Sequence, residues 1–172
     1  MINGPILLGA GHSQHVALKA LTGNPEWTFQ AMGSRFLGGL SPRQEQTADY
    51  DFFLPWGDSK YASADLPNKW LEGLGFGRVT VGGYTQDTRI NTYWNWPGVG
   101  EWPGIDVVIL PEQEFERRMK VFSYMREHRG GGEAQNFHGH MKNRWHTFWM
   151  LVQAAHAPAP KGIEAPKSPT ST

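Results

Sequence analysis

The sequence predicts an α+β fold: a mixed β-sheet core with an N-terminal helix before it and a C-terminal helical pair after it. Three observations carry this. Short segments of period-two alternation, and one continuous apolar run from Ile105 to Leu110, lie before Pro111. Long stretches of helical spacing lie after it. Strands and helices are not strictly interleaved, so repeated strand–helix–strand units do not set the class.

The elements follow in order. Ser13 to Leu21 reads as a helix with Val16, Ala17 and Leu21 on one face, and Gly23-Asn24-Pro25 stops it. Trp27 to Met32 reads as a strand, with Trp27, Phe29 and Ala31 alternating against Thr28 and Gln30. Asp49 to Leu54 is a second strand, ended by Pro55. Asn68 to Leu74 is a short helix, followed by strands at Arg78 to Val81 and Ile90 to Trp96. Ile105 to Leu110 has the composition of a strand buried on both faces. Pro111 to His128 is a helix whose early Glu112, Glu114 and Glu116 and later Arg117, Arg118 and Lys120 complement its dipole. Gly130-Gly131-Gly132 breaks the chain before a last helix, Ala134 to Ala155, with Phe137, Met141, Trp145, Phe148, Trp149 and Val152 at helical spacing. We therefore expect one domain over residues 1–156, with a core at about 27–110 and helices over 111–155. Residues 157–172 are rich in proline and small polar residues and read as a disordered tail.

Composition narrows the chemistry. With 16 basic against 16 acidic residues the net charge is zero, which argues against broad, charge-driven nucleic-acid binding. The absence of cysteine rules out disulfide frameworks, thiol catalysis and cysteine-ligated zinc or iron–sulfur centres. It is compatible with a reducing compartment, and the expected location is cytoplasmic. No apolar run approaches the roughly 20 residues needed to span a bilayer, and Met1 to Ala10 lacks the basic start of a signal peptide.

The most informative residues are acidic. Met32-Gly33-Ser34-Arg35 places a Gly-Ser turn at the end of a strand, where backbone N–H groups and the Ser34 hydroxyl can approach a phosphate and Arg35 can meet its charge. Asp49-Tyr50-Asp51-Phe52 then sets two carboxylates at i and i+2, on one face of a strand, as oxygen ligands for Mg²⁺ require. Asp106 opens the buried run, a costly position for a lone carboxylate unless it is paired or metal-bound. Singly, each feature also reads as an ordinary turn or an exposed strand face; together and in this order they point to a site.

These three motifs resemble those of the polymerase-β-like nucleotidyltransferase superfamily, especially its small, minimal members. That family carries a hydrophobic-Gly-Ser signature, an acid-x-Asp pair on the next strand and a third carboxylate on a later strand. Met32-Gly33-Ser34, Asp49-Tyr50-Asp51 and Ile105-Asp106-Val107 match them, and the resemblance spans about Trp27 to Leu110. It implies that Asp49, Asp51 and Asp106 coordinate Mg²⁺ or Mn²⁺, that Gly33, Ser34 and Arg35 bind the nucleotide, and that an NMP passes from an NTP to a hydroxyl on RNA, protein or a small molecule. The alternative is a non-catalytic nucleotide-binding or protein-interaction module that retains the fold. The stretch Arg35 to Ala48 exceeds the family's usual spacing, and its Gly38-Gly39 and Ser41-Pro42 predict a long loop where the family commonly has a short helix.

Other motifs divide between function and structure. Gly9-Ala10-Gly11 resembles the start of a dinucleotide-binding turn but reads better as a turn into the first helix, because Gln14 stands where a third glycine belongs. Trp94, Trp96 and Trp102 suit either base stacking or core packing. His138, Lys142 and His146 share one helical stripe, which most simply reads as a solvated face. Arg117, Arg118 and Lys120 also read as surface, or with Lys142 and Arg144 as a local basic patch that guides an RNA or NTP.

Overall fold

The computed structural model describes residues 10–80, 89–100, 102–128 and 141–156. In chain order the elements are α1 (Ala10–Thr22), β1 (Gln30–Met32), α2 (Gly33–Leu37), α3 (Pro42–Thr47), β2 (Tyr50–Pro55), α4 (Asp65–Leu74), β3 (Gly77–Arg78), β4 (Thr92–Trp96), β5 (Ile105–Leu110), α5 (Glu112–Glu127) and α6 (Met141–His156). The fold is α+β, with a mixed five-stranded sheet in the order β1-β2-β5-β4-β3. Among the described residues, only β2 and β5 run parallel; β1 with β2, β4 with β5 and β3 with β4 are antiparallel.

Strand alternation sends side chains to two cores, one on each face of the sheet. Phe52 and Leu54 of β2, with Ile105, Val107 and Ile109 of β5, pack against Ala17 and Leu21 of α1 and Leu71 of α4. Phe53 of β2, with Val108 and Leu110 of β5, packs against Leu37 of α2, Val121, Phe122 and Met125 of α5, and Phe148 and Val152 of α6. The central strands are thus apolar on both faces over most of their length, which is why β5 reads as an unbroken apolar run. Burying each such side chain contributes about 1.5–3 kcal/mol.

Several boundaries differ from the sequence reading for identifiable reasons. The first strand begins at Gln30 rather than Trp27, because Asn24 Oδ1 accepts from the backbone N–H of Glu26 (2.8 Å) and Trp27 (2.9 Å) and holds them in a turn. Helix α4 starts at Asp65 rather than Asn68; Pro67 sits in its first turn, where an N–H has no intrahelical partner to lose. Strand β3 is Gly77–Arg78, and Val81 lies outside the described residues. So do Gly9, His138 and the 157–172 tail, whereas Gly11 lies within α1 rather than on a turn before it.

The expected long loop between Arg35 and Ala48 is instead two short helices. Helix α3 is started by a capping box: Ser41 Oγ accepts from Gln44 N at 3.2 Å, and Gln44 Oε1 accepts from Ser41 N at 2.9 Å. Pro42, which read as a loop residue, is favourable at the first helical position.

The basic run on α5 is also not a simple surface. Arg118 is fully buried; its Nε donates to Glu114 Oε1 at 2.8 Å and its guanidinium lies over the Trp149 ring. Arg117 reaches the other oxygen of Glu114 at 2.9 Å, and His156 of α6 approaches the same carboxylate. Burial alone would raise the Glu114 pKa, but Arg118 and His156 hold it below its ordinary value. This network joins α5 to α6, and removing one partner of such a buried pair costs about 3–5 kcal/mol. Lys120 remains exposed. Among the described residues, no helix is long and apolar enough to cross a membrane.

Candidate active site

The parallel pairing of β2 with β5 sets Asp51 directly opposite Asp106. Neighbouring strands lie about 4.8 Å apart, so two inward carboxyls at paired positions must meet. Both belong to the face that carries Phe53 and Val108, but at the end of the strands where the chain enters them. The two side chains are hydrogen-bonded to each other.

Their electrostatics are unequal. Burial, then the charges of Asp106 and Asp49, push the Asp51 carboxyl well above the usual carboxylate range, against the opposing effect of Arg35. Burial raises Asp106 as well, but hydrogen bonds from Asn95, Tyr93 and Asp51 favour its ionised form. The hydrogen bond between them favours the protonated form of Asp51 and the ionised form of Asp106. Asp49, exposed just before β2, is tied to the turn before β5: its Oδ1 accepts from Gly104 N at 3.0 Å.

Gly33 forms the opposite wall. Its φ of 68° belongs to the left-handed region, and a Cβ built there would lie 2.5 Å from Asp51 Oδ2. The glycine is required twice, for the turn from β1 into α2 and for the close approach of the backbone to the acid. Ser34 follows, buried in the first turn of α2. Arg35 stacks its guanidinium 3.7 Å from the centre of the Tyr50 ring, and its terminal nitrogen donates to the carbonyls of Glu45 (2.9 Å) and Ala48 (2.7 Å). It braces α2 against α3 and the start of β2, while its buried Nε has no hydrogen-bond partner.

No protein-family model, curated protein or solved structure matches this chain.

The site must therefore be read from its own donors. All are carboxylate, hydroxyl or backbone groups, a set that suits hard divalent cations rather than zinc. Among the described residues, no group of three His, Cys, Asp or Glu side chains converges on one point. Asp51 and Asp106 converge, while Asp49 is turned toward Gly104.

Two site residues escaped the sequence reading. Asn95 of β4 pairs with Asp106 in register, and its Nδ2 donates to Asp106 Oδ1 at 2.6 Å. Tyr93, two residues earlier on the same face, also hydrogen-bonds Asp106; burial and the facing carboxylates raise its own ionisation, so its hydroxyl stays a donor. Their signal was the period-two alternation of β4, in which Tyr93 and Asn95 oppose the more conspicuous tryptophans. Those tryptophans divide: Trp94 is buried, Trp96 packs against Phe76, and Trp102 is half exposed at the β4–β5 hairpin, bridged to Val99. The side chains of Lys142, Arg144 and His146 lie outside the described residues.

Proposed function

We propose that this protein is a metal-dependent nucleotidyltransferase of the polymerase-β-like type, acting in the cytoplasm. It moves an NMP from an NTP to a hydroxyl on RNA, protein or a small molecule. The observation that carries the reading is the Asp51–Asp106 pair across parallel strands, with the Gly33 backbone packed against Asp51. In the reaction, an acceptor oxygen bonds to the α-phosphorus, the bond to the leaving pyrophosphate breaks and the hydroxyl proton passes to solvent.

Asp51 and Asp106 are the residues that would hold Mg²⁺ or Mn²⁺, with Asp49 joining them once it releases Gly104. Divalent ions bound there supply the charge that neutralises the triphosphate and lowers the pKa of the attacking hydroxyl. Gly33 and Ser34 present backbone and hydroxyl donors to the phosphates, and only a glycine at residue 33 leaves that approach open. Arg35 keeps α2 in place beside Asp51 and adds positive charge to that side of the site. Asp106, at the β4 side, faces the acceptor.

A second reading, a non-catalytic nucleotide-binding or protein-interaction module, is favoured by one observation: the Asp49 carboxylate is engaged by Gly104. One experiment separates the two. The protein is incubated with Mg²⁺, a cell extract and each NTP labelled at the α- or the γ-phosphorus. Label from the α-position is expected to enter an acceptor, and label from the γ-position is expected to leave as pyrophosphate. Transfer of the γ-label, or of neither, contradicts nucleotidyl transfer.

A further inference from the structure

We infer that Asn95 and Tyr93 of β4 are positioning residues that fix the Asp106 carboxylate for cation binding, a role that rests on the nucleotidyl-transfer reading. Two carboxyl groups facing each other across adjacent strands repel once both ionise, and an unrestrained aspartate relieves this by rotating away. Asp106 is restrained. Asn95 is its cross-strand partner and takes Oδ1 at 2.6 Å. Tyr93 pairs with Val108, one position diagonal to Asp106, which is within reach of a long side chain. Both donors act on the carboxylate that also meets Asp51.

The donors are themselves held. The Tyr93 ring packs against the core that contains Phe53 and Val108. On the other face of β4, Asn68 of α4 accepts from Thr92 Oγ1 at 2.8 Å and from Trp94 Nε1 at 3.1 Å. Beyond the strand, Gly104 N is bonded to Asp49, and Gln14 of α1 donates to the carbonyl of Pro103. Strand β4 is thereby held on its other face by Asn68, and the turn that follows it is anchored by Asp49 and Gln14, while the strand presents two donors to one carboxylate. A sheet needs no such arrangement for stability, since an apolar or Thr–Thr cross-strand pair would serve at this register. The arrangement is what a ligand carboxylate needs, because outer partners that orient ligands typically set metal affinity within a factor of about 10–100.

The test uses the full chain with Mn²⁺ alone as the probe, its binding followed by electron paramagnetic resonance. Tyr93→Phe removes only the hydroxyl and keeps the packed ring; Asn95→Leu removes the amide donor at similar volume. Each is expected to weaken Mn²⁺ binding by about 10–100-fold, to raise the Mn²⁺ concentration at half-maximal transfer in proportion, and to leave the melting temperature near that of the wild type. If Asn95→Leu fails to fold, Tyr93→Phe decides. Wild-type binding with unchanged affinity in Tyr93→Phe and in any folded Asn95→Leu overturns the positioning role and leaves nucleotidyl transfer standing. A wild-type chain that binds no Mn²⁺ overturns both.

Discussion

Asp51→Asn is expected to abolish nucleotidyl transfer and at the same time to raise the melting temperature at neutral pH. The Asp51 carboxyl is raised by burial and by the charges of Asp106 and Asp49, so the folded chain binds its proton more tightly than the unfolded chain does. The stability linked to that proton is fully present below the unfolded carboxyl pKa and is lost as pH rises through the folded one. At neutral pH the acid is therefore a net cost to the fold. Asparagine has the same shape, carries no charge and retains an amide N–H for Asp106. Each kcal/mol of repulsion relieved raises the melting temperature of a chain this size by about 2–4 °C, and the gain should vanish in acid. Transfer should fall by at least about a hundredfold, the cost of deleting a group that stabilises transition-state charge. Calorimetric melting at two pH values, beside a transfer assay, checks both halves. A variant that is less stable at neutral pH, or fully active, contradicts the account.

Gly33→Ala should have a comparable effect on transfer and the opposite effect on stability. The left-handed φ at residue 33 costs a residue with a Cβ about 1–2 kcal/mol. The new methyl would also lie 2.5 Å from Asp51 Oδ2, so either the acid or the start of α2 must move. Melting temperature should drop by several degrees and transfer should be lost. A double-mutant cycle locates the cause: in an Asp51→Ala background the severe contact with the carboxyl disappears and only the 3.3 Å approach to Cβ remains, so Gly33→Ala should cost less there than in the wild type. Equal costs in the two backgrounds would mean that the two residues do not meet.

The sequence was most legible where one residue type repeats with one period. Strand β5 announces itself as an apolar run with a single acid near its start, whereas Asp49, read on one strand face with Asp51, lies one residue before β2 with its carboxylate on Gly104 N. The α+β class followed from those strands and from the helices after Pro111. Helices α2 and α3 were hidden because their glycines, proline and serine have loop composition; α3 buries no residue and is fixed by a local cap and by Arg35 bonding to distant carbonyls. Arg118 looked like surface because its burial depends on Glu114 in the preceding turn and on Trp149 of another helix. For Asn95 and Tyr93 the alternation of β4 gave the face they share, but not what that face meets. A neutral polar residue on a strand gains its role from the residue across the sheet, and register is a property of the assembled sheet rather than of the segment.

On the proposed function, Asp51, Asp106 and the Gly33–Ser34 turn form one site for a divalent cation and a nucleoside triphosphate. Isothermal titration of Mg²⁺ and NTP, separately and together, tests it most directly. Each ligand is expected to strengthen the binding of the other, as linkage requires for two coupled ligands of one site, and Asp106→Asn is expected to remove the coupling. Binding of neither ligand, or NTP binding that is equal with and without Mg²⁺ and unchanged in Asp106→Asn, would contradict it.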